Sequence, residues 1–285
     1  MSQYRPSGFR MLTPVVKNLL IINVLLFVAM LTMSKSFGFD LTVILGLHYP
    51  GATDFGVWQF VTYMFMHGGF SHILFNMFAL WMFGNVLENV WGSQRFLTYY
   101  MITGIGAGLI YIVWIHFTIS PQLSLINNVI SDPSIENLST LIAQHRFSVS
   151  QYSGAIWADF MQFQESVKAL DVNPQNHLAA QKIVTFLSEY RSYYLNQHVV
   201  VGASGAVFGL LLAFGMMFPN SLIYVYFAIP VKAKYFVIIY GALELYSGFA
   251  NNPGDNTAHF AHLGGMLFGY LIMLYWKKKG ILFSN

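Results

Sequence analysis

No cysteine occurs in the 285 residues, which excludes disulfides, thiolate catalysis and Cys-ligated metal. Charge is nearly as scarce: Asp, Glu, Lys and Arg supply 9% of the chain, where a soluble domain carries roughly 25%. Neither sign dominates. Fourteen basic against eleven acidic residues leave a net charge of +3. The basic ones are scattered or flank apolar stretches, so they are read as topology signals, and no nucleic-acid partner is expected. Neither an internal repeat nor a lipidation motif stands out. What fills the chain is apolar: 56% hydrophobic, 17% aromatic, mean hydropathy +0.54. That is the composition of an integral membrane protein.

A spanning helix needs about 20 mostly apolar residues. Val15–Met33, Phe70–Val90, Phe96–Phe117, Val199–Phe218 and Phe260–Trp276 meet this criterion. The run Leu222–Ile229 is too short and is followed by Pro230, Lys232 and Lys234, so a further span is placed at Ala233–Phe249. The expected fold is therefore all-α, a polytopic bundle of six spans. Arg5 and Arg10 before the first span and Lys17 at its start precede the apolar run, and this span is read as retained because no cleavage signal follows Met33. With both termini cytoplasmic, nine Lys and Arg of the short segments fall inside and only Lys35 outside, which supports both parity and orientation. Ser34–Met66, broken by glycines and Pro50, is expected to be an interfacial loop with short helices.

Thr118–Gln197 differs in kind, with six acids, four bases and many Asn, Gln and Ser. It is read as an extramembrane helical insert (118–197) between bundle parts 1–117 and 198–285. Ile156, Trp157, Phe160, Phe163, Val167 and Leu170 recur near helical spacing, as do Leu178, Ile183, Phe186, Leu187, Tyr190 and Tyr194. A packed cap is preferred over a lipid or substrate gate, because periodicity alone shows only a buried face.

Polar side chains inside apolar helices are costly and mark function. Ser204 is expected about five residues into the fourth span and His262 near the start of the sixth. The second span opens with His72 and Asn76, four apart on one helix face. These three helices run in one direction, so the four residues share the external side. Gly205/Gly209 and Gly265/Gly269 are small-residue pairs that let helices approach closely. A serine–histidine hydrogen bond is geometrically reasonable there, although a lone serine in such a helix is more often a packing residue. His259 is a second candidate base. His262 is preferred because it carries glycines at +3 and +7. No carboxylate is seen in a place to orient His262, and Glu88 and Glu244 are assigned to structural hydrogen bonding with loops. A metal site on His67, His72, His259 and His262 is set aside for want of HExxH or a carboxylate in ligand spacing. No cofactor is expected.

The run His67-Gly68-Gly69-Phe70-Ser71-His72-Ile73-Leu74-Phe75-Asn76, the Gly202-x-Ser204-Gly205 motif and Ala261-His262-x-x-Gly265-x-x-x-Gly269 together resemble the rhomboid family of intramembrane serine proteases. The resemblance covers the six spans and leaves out the insert. It implies Ser204 as nucleophile and His262 as general base, a dyad without a carboxylate, with Phe208 stacking on the histidine. It further implies an oxyanion hole from His72, Asn76 and the Ser204 N–H, with Gly202, Gly205, Gly265 and Gly269 in support. Implied partners are the lipid bilayer and membrane proteins cut in a transmembrane segment, and the implied location is a bacterial plasma membrane. Asn251-Asn252-Pro253-Gly254 is a candidate gate. Trp58-Gln59 departs from the family's usual Trp-Arg, which puts loop anchoring in question. An inactive rhomboid-like binding protein and a transporter are the rival classes.

Overall fold

The computed structural model describes residues 10–225, 228–250 and 257–280. The candidate gate residues Asn251–Gly254 and the basic Arg5 lie outside the described residues. Among those described, the main helices are α1 (Pro14–Phe37), α2 (Phe70–Trp91), α3 (Ser93–Ser131), α4 (Ile135–Gln144), α5 (Ala155–Val172), α6 (His177–Asn196), α7 (Ser204–Met217), α8 (Ala233–Ala250) and α9 (His259–Lys278). Three of them, α1, α2 and α3, are long and apolar enough to cross a membrane, and α7 is apolar but shorter. The chain divides into two compact units: Met1–Leu47, Gly56–Ile112 and Val200–Asn285 in the first, His48–Phe55 and Val113–Val199 in the second.

In the first unit, α1 starts at Pro14, where a missing N–H costs nothing. Glu88 of α2 closes that end. Its carboxylate accepts from the backbone N–H of Val15 (3.0 Å) and Val16 (2.9 Å) and from the hydroxyls of Thr13 and Ser93, each at 2.5 Å. A buried carboxylate on an N-terminus answers both the orphan donors and the helix dipole. Glu88 thus has the structural kind of role read from the sequence. At the other end Gly38 (φ 63°) turns the chain, and the N–H groups of Gly38 and Phe39 return to Ser34 and Met33. Helix α2 contains one widened π turn, Leu80–Gly84.

The segment between α1 and α2 forms short helical turns at Thr42–Leu45, Gln59–Thr62 and Tyr63–Phe65. Trp58 Nε1 and Gln59 Nε2 both donate to the Ile44 carbonyl (3.0 and 3.2 Å), and Thr62 Oγ1 donates to Leu45 O (2.8 Å). Gln59 is buried, so its neutral amide ties this loop down without a charge.

Two boundaries differ from those read in the sequence. Val199 and Val200 are extended and α7 begins at Ser204, so the serine opens its helix and does not lie five residues into it. Helix α3 does not stop at Phe117 but continues through Pro121 to Ser131. Hydropathy falls after 117, but the backbone hydrogen-bond ladder does not follow hydropathy. The stretch before α8 is also more ordered than expected. Leu222–Val225 (β1) and Ile229–Lys232 (β2) pair antiparallel, with Leu222 opposite Lys232 and Tyr224 opposite Pro230. A two-stranded ribbon has only edge strands, so Pro230 is tolerated.

The second unit is helical and has its own core. Ile126, Val129, Leu138, Leu141, Phe163, Leu170, Ile183, Phe186, Leu187 and Tyr190 are buried together. Ile156, Phe160 and Val167 pack against them, whereas Leu178 is exposed. The buried His145 bridges Gln122 Oε1 (2.7 Å) and Tyr190 Oη (2.8 Å), satisfying both ring nitrogens inside this core.

Candidate active site

Helices α7 and α9 cross at their glycines. A Cβ on Gly265 would fall on the carbonyl oxygen of Gly205 and stand 2.7 Å from its carbonyl carbon. One on Gly205 would meet Ala107 Cβ, and one on Gly269 would meet Tyr99 Oη, itself hydrogen-bonded to Gly209 O at 2.8 Å. Backbone therefore lies on backbone. The residue that opens α7 and the one three positions into α9 come within reach of each other.

His262 Nε2 lies 2.8 Å from Ser204 Oγ. Phe208, one turn beyond the serine, lies flat on the imidazole with ring centroids 4.2 Å apart and planes 8° apart. The other ring nitrogen is also held: His262 Nδ1 is 2.8 Å from Glu244 Oε2. The same oxygen receives His259 Nδ1 at 2.7 Å. Glu244 and His262 are buried.

The contact with Glu244 corrects the sequence reading, which found no carboxylate positioned to orient His262 and assigned Glu244 to loops in an inner half. Helix α8 ends at Ala250 and α9 starts at His259. A residue six before one end and a residue three after the other start therefore meet at similar depth. An acid in an apolar helix, counted back from the following turn, was the available signal. The grounds for setting aside a metal change too. Glu244, His259 and His262 each offer one ligand atom, all within 4.8 Å of one another. A cation there would replace the two Nδ1 hydrogen bonds.

On the other side of the serine, Gly202 has φ 131° and its N–H donates to Tyr63 O (2.9 Å). A Cβ at Gly202 would lie 2.8 Å from His72 Nε2 and 3.6 Å from Ser204 Oγ. The glycine thus provides both the backbone conformation and the space that lets His72 approach the serine. Gly68 N–H donates to His72 Nδ1 (3.3 Å), which leaves Nε2 as the protonated nitrogen, facing the site. Asn76 is buried, and one N–H of its amide donates to His72 O (2.9 Å). His67 packs edge-on against His72, with ring centroids 5.1 Å apart. Burial, and next His72, hold its pKa down to about 4.

These features define a helical membrane protein with a serine–histidine pair set between close-packed glycine-rich helices. The rhomboid domain model matches residues 54–120 and 175–279, more than half of the chain, and the chain belongs to the rhomboid family. Residues 121–174, between the two matched segments, lie inside the stretch read as an insert. The chain is similar to the rhomboid protease GluP of Bacillus subtilis (strain 168), 42% identical over 48 residues, 17% of this chain and 10% of that protein. It is 28% identical over 80 residues to the rhomboid protease GlpG of Haemophilus influenzae, 27% of this chain and 42% of that one. To the rhomboid protease AarA of Providencia stuartii it is 35% identical over 63 residues, 22% of each. The chain thus spans less than half the length of each of these relatives. Family and apolar helices together make it an integral membrane protein.

Proposed function

We propose that this protein is an intramembrane serine endopeptidase that cuts transmembrane segments of other membrane proteins near the external face. The observation that carries the reading is the 2.8 Å contact between Ser204 Oγ and His262 Nε2 beneath the Phe208 ring. In this reading His262 Nε2 takes the hydroxyl proton as Ser204 Oγ attacks the scissile carbonyl, then gives it to the departing amine. Water, deprotonated by the same nitrogen, releases the acyl group and regenerates the serine.

The tetrahedral oxyanion needs donors aimed at it, each worth about 10²–10³ in rate. His72 Nε2–H, the second N–H of the Asn76 amide and the backbone N–H of Ser204 are assigned this role. The first N–H groups of a helix have no intrahelical acceptor, and α7 begins at the serine itself. The short α7 also suits the depth of the site. Fourteen residues reach about 21 Å, some 9 Å short of a hydrocarbon core of roughly 30 Å. With Met217 at the inner boundary, Ser204 lies below the outer one, reached through the extended residues before it.

The same reading places six spans, α1, α2, α3, α7, α8 and α9, in a bacterial plasma membrane with both termini cytoplasmic. It places residues 118–197 outside the bilayer. Purified protein in detergent should cleave a model transmembrane substrate, and Ser204→Ala and His262→Ala should each abolish cleavage while remaining folded. A fluorophosphonate probe should label wild type and not Ser204→Ala. Cleavage that survives Ser204→Ala overturns the proposal. A wild type that neither cleaves nor labels points to the inactive binding-protein class.

A further inference from the structure

The resemblance implies a dyad without an acid, yet Glu244 Oε2 receives the Nδ1 atoms of both His262 (2.8 Å) and His259 (2.7 Å). We propose that Glu244 is a positioning residue that holds His262 in its base-competent tautomer, and that His259 fixes Glu244 in turn. This rests on the serine-protease reading above.

An ionised carboxylate only accepts hydrogen bonds, so each histidine presents an Nδ1–H to it. Fixing the proton on Nδ1 leaves Nε2 of His262 with its lone pair free, directed at the Ser204 hydroxyl. When the serine proton arrives, the imidazole becomes cationic and faces a negative carboxylate in a site where little water screens the pair. The side chains of Glu244, His262 and His259 are only 7%, 10% and 13% exposed. Orientation is thus divided between two neighbours. Phe208 sets the plane of the ring, and Glu244 selects which nitrogen carries the proton. The second bond, from His259, satisfies the other lone pair of Oε2 and restricts the carboxylate's rotation. A carboxylate paired on one side only would be costlier to bury.

Glu244→Gln keeps the shape and removes the charge, and its amide can offer N–H in place of an acceptor. Replacing the orienting carboxylate of a serine–histidine pair costs up to about 10⁴ in kcat. With Phe208 still stacked on the ring, a fall of at least ~10² is expected, with KM unchanged and thermal unfolding in detergent near that of wild type. Glu244→Asp, which retains the charge at a shorter reach, should recover part of kcat. A purely structural glutamate would instead move KM and unfolding together, or would be replaced by Gln without loss of turnover. Either result overturns the proposal.

A second measurement needs no variant. In ¹⁵N-histidine-labelled wild type, assigned by comparison with His262→Ala, His262 should carry its proton on Nδ1. A proton on Nε2 overturns the assignment. Cleavage abolished by a chelator and restored by zinc also overturns it, since the three groups would then hold a metal. If Ser204→Ala still cleaves, the protease reading itself has failed. If Ser204→Ala is dead while Glu244→Gln turns over normally, only the role of Glu244 has.

Discussion

Gly265→Ala tests how the glycines set the site. The added methyl would fall on the Gly205 carbonyl oxygen, with the carbonyl carbon at 2.7 Å and Gly205 Cα at 3.3 Å. None of these atoms can rotate away, because all belong to the helix backbone. Ordinary carbon–carbon separations are about 3.5–4.0 Å, so α7 and α9 must part by at least about 1 Å. Ser204 lies one residue before Gly205 and His262 one turn before Gly265, so the opening is transmitted to their 2.8 Å contact. That contact then stretches to about 3.8 Å, beyond hydrogen-bond range. A misplacement of about 1 Å costs on the order of 10² in rate, and overpacking of this kind destabilises by about 1–3 kcal/mol. Gly241→Ala serves as the control, since its methyl would meet only the flexible end of Met266 at 3.3 Å. The assay is the rate of fluorophosphonate labelling, with unfolding in detergent followed in parallel. Gly265→Ala that labels at the wild-type rate would refute the argument that backbone approach at this glycine sets the serine–histidine distance.

Glu88→Ala should destabilise the protein by roughly 3 kcal/mol, because it strands the buried N–H of Val16 and the half-buried N–H of Val15, whereas the Thr13 hydroxyl keeps Asn85 Oδ1 as acceptor. Labelling per folded molecule should be unchanged, and a thermal midpoint equal to wild type would count against the cap. Stability should also fall with acid through His67. Its pKa of about 4 lies below the ordinary 6.5, so the unfolded chain binds the extra proton between those values. The stabilisation is complete above pH 6.5 and is lost as pH drops towards 4, by about 3 kcal/mol in all. Melting curves from pH 7.5 to 4.5 should show that slope, and His67→Gln should flatten it.

Much of this molecule is local information. The low charge and the long apolar runs require a membrane solvent, and hydropathy places the cores of α1, α2, α8 and α9 to within a few residues at most ends. His262, Gly265 and Gly269 can be read because a helical period puts them on one face, whatever lies opposite, and Ser204 because a polar side chain stands beside a spaced glycine pair in an apolar run. The serine's place at the first residue of α7 could not be read in this way. It depends on Gly202 adopting a positive φ and bonding to Tyr63, nearly 140 residues away in the chain. Likewise α3 outlasts its apolar run, because a helix ends where its hydrogen-bond ladder ends.

Glu244 marks the division most sharply. Sequence determined that an acid stands in an apolar helix and needs a partner, since an unpaired charge there is too costly. Only the antiparallel packing of α8 against α9 decided that the partners are two histidines, one of them bonded to the serine. Periodicity fixes which face of a helix a residue occupies, whereas the neighbour it meets is set by the direction and depth at which a second helix packs.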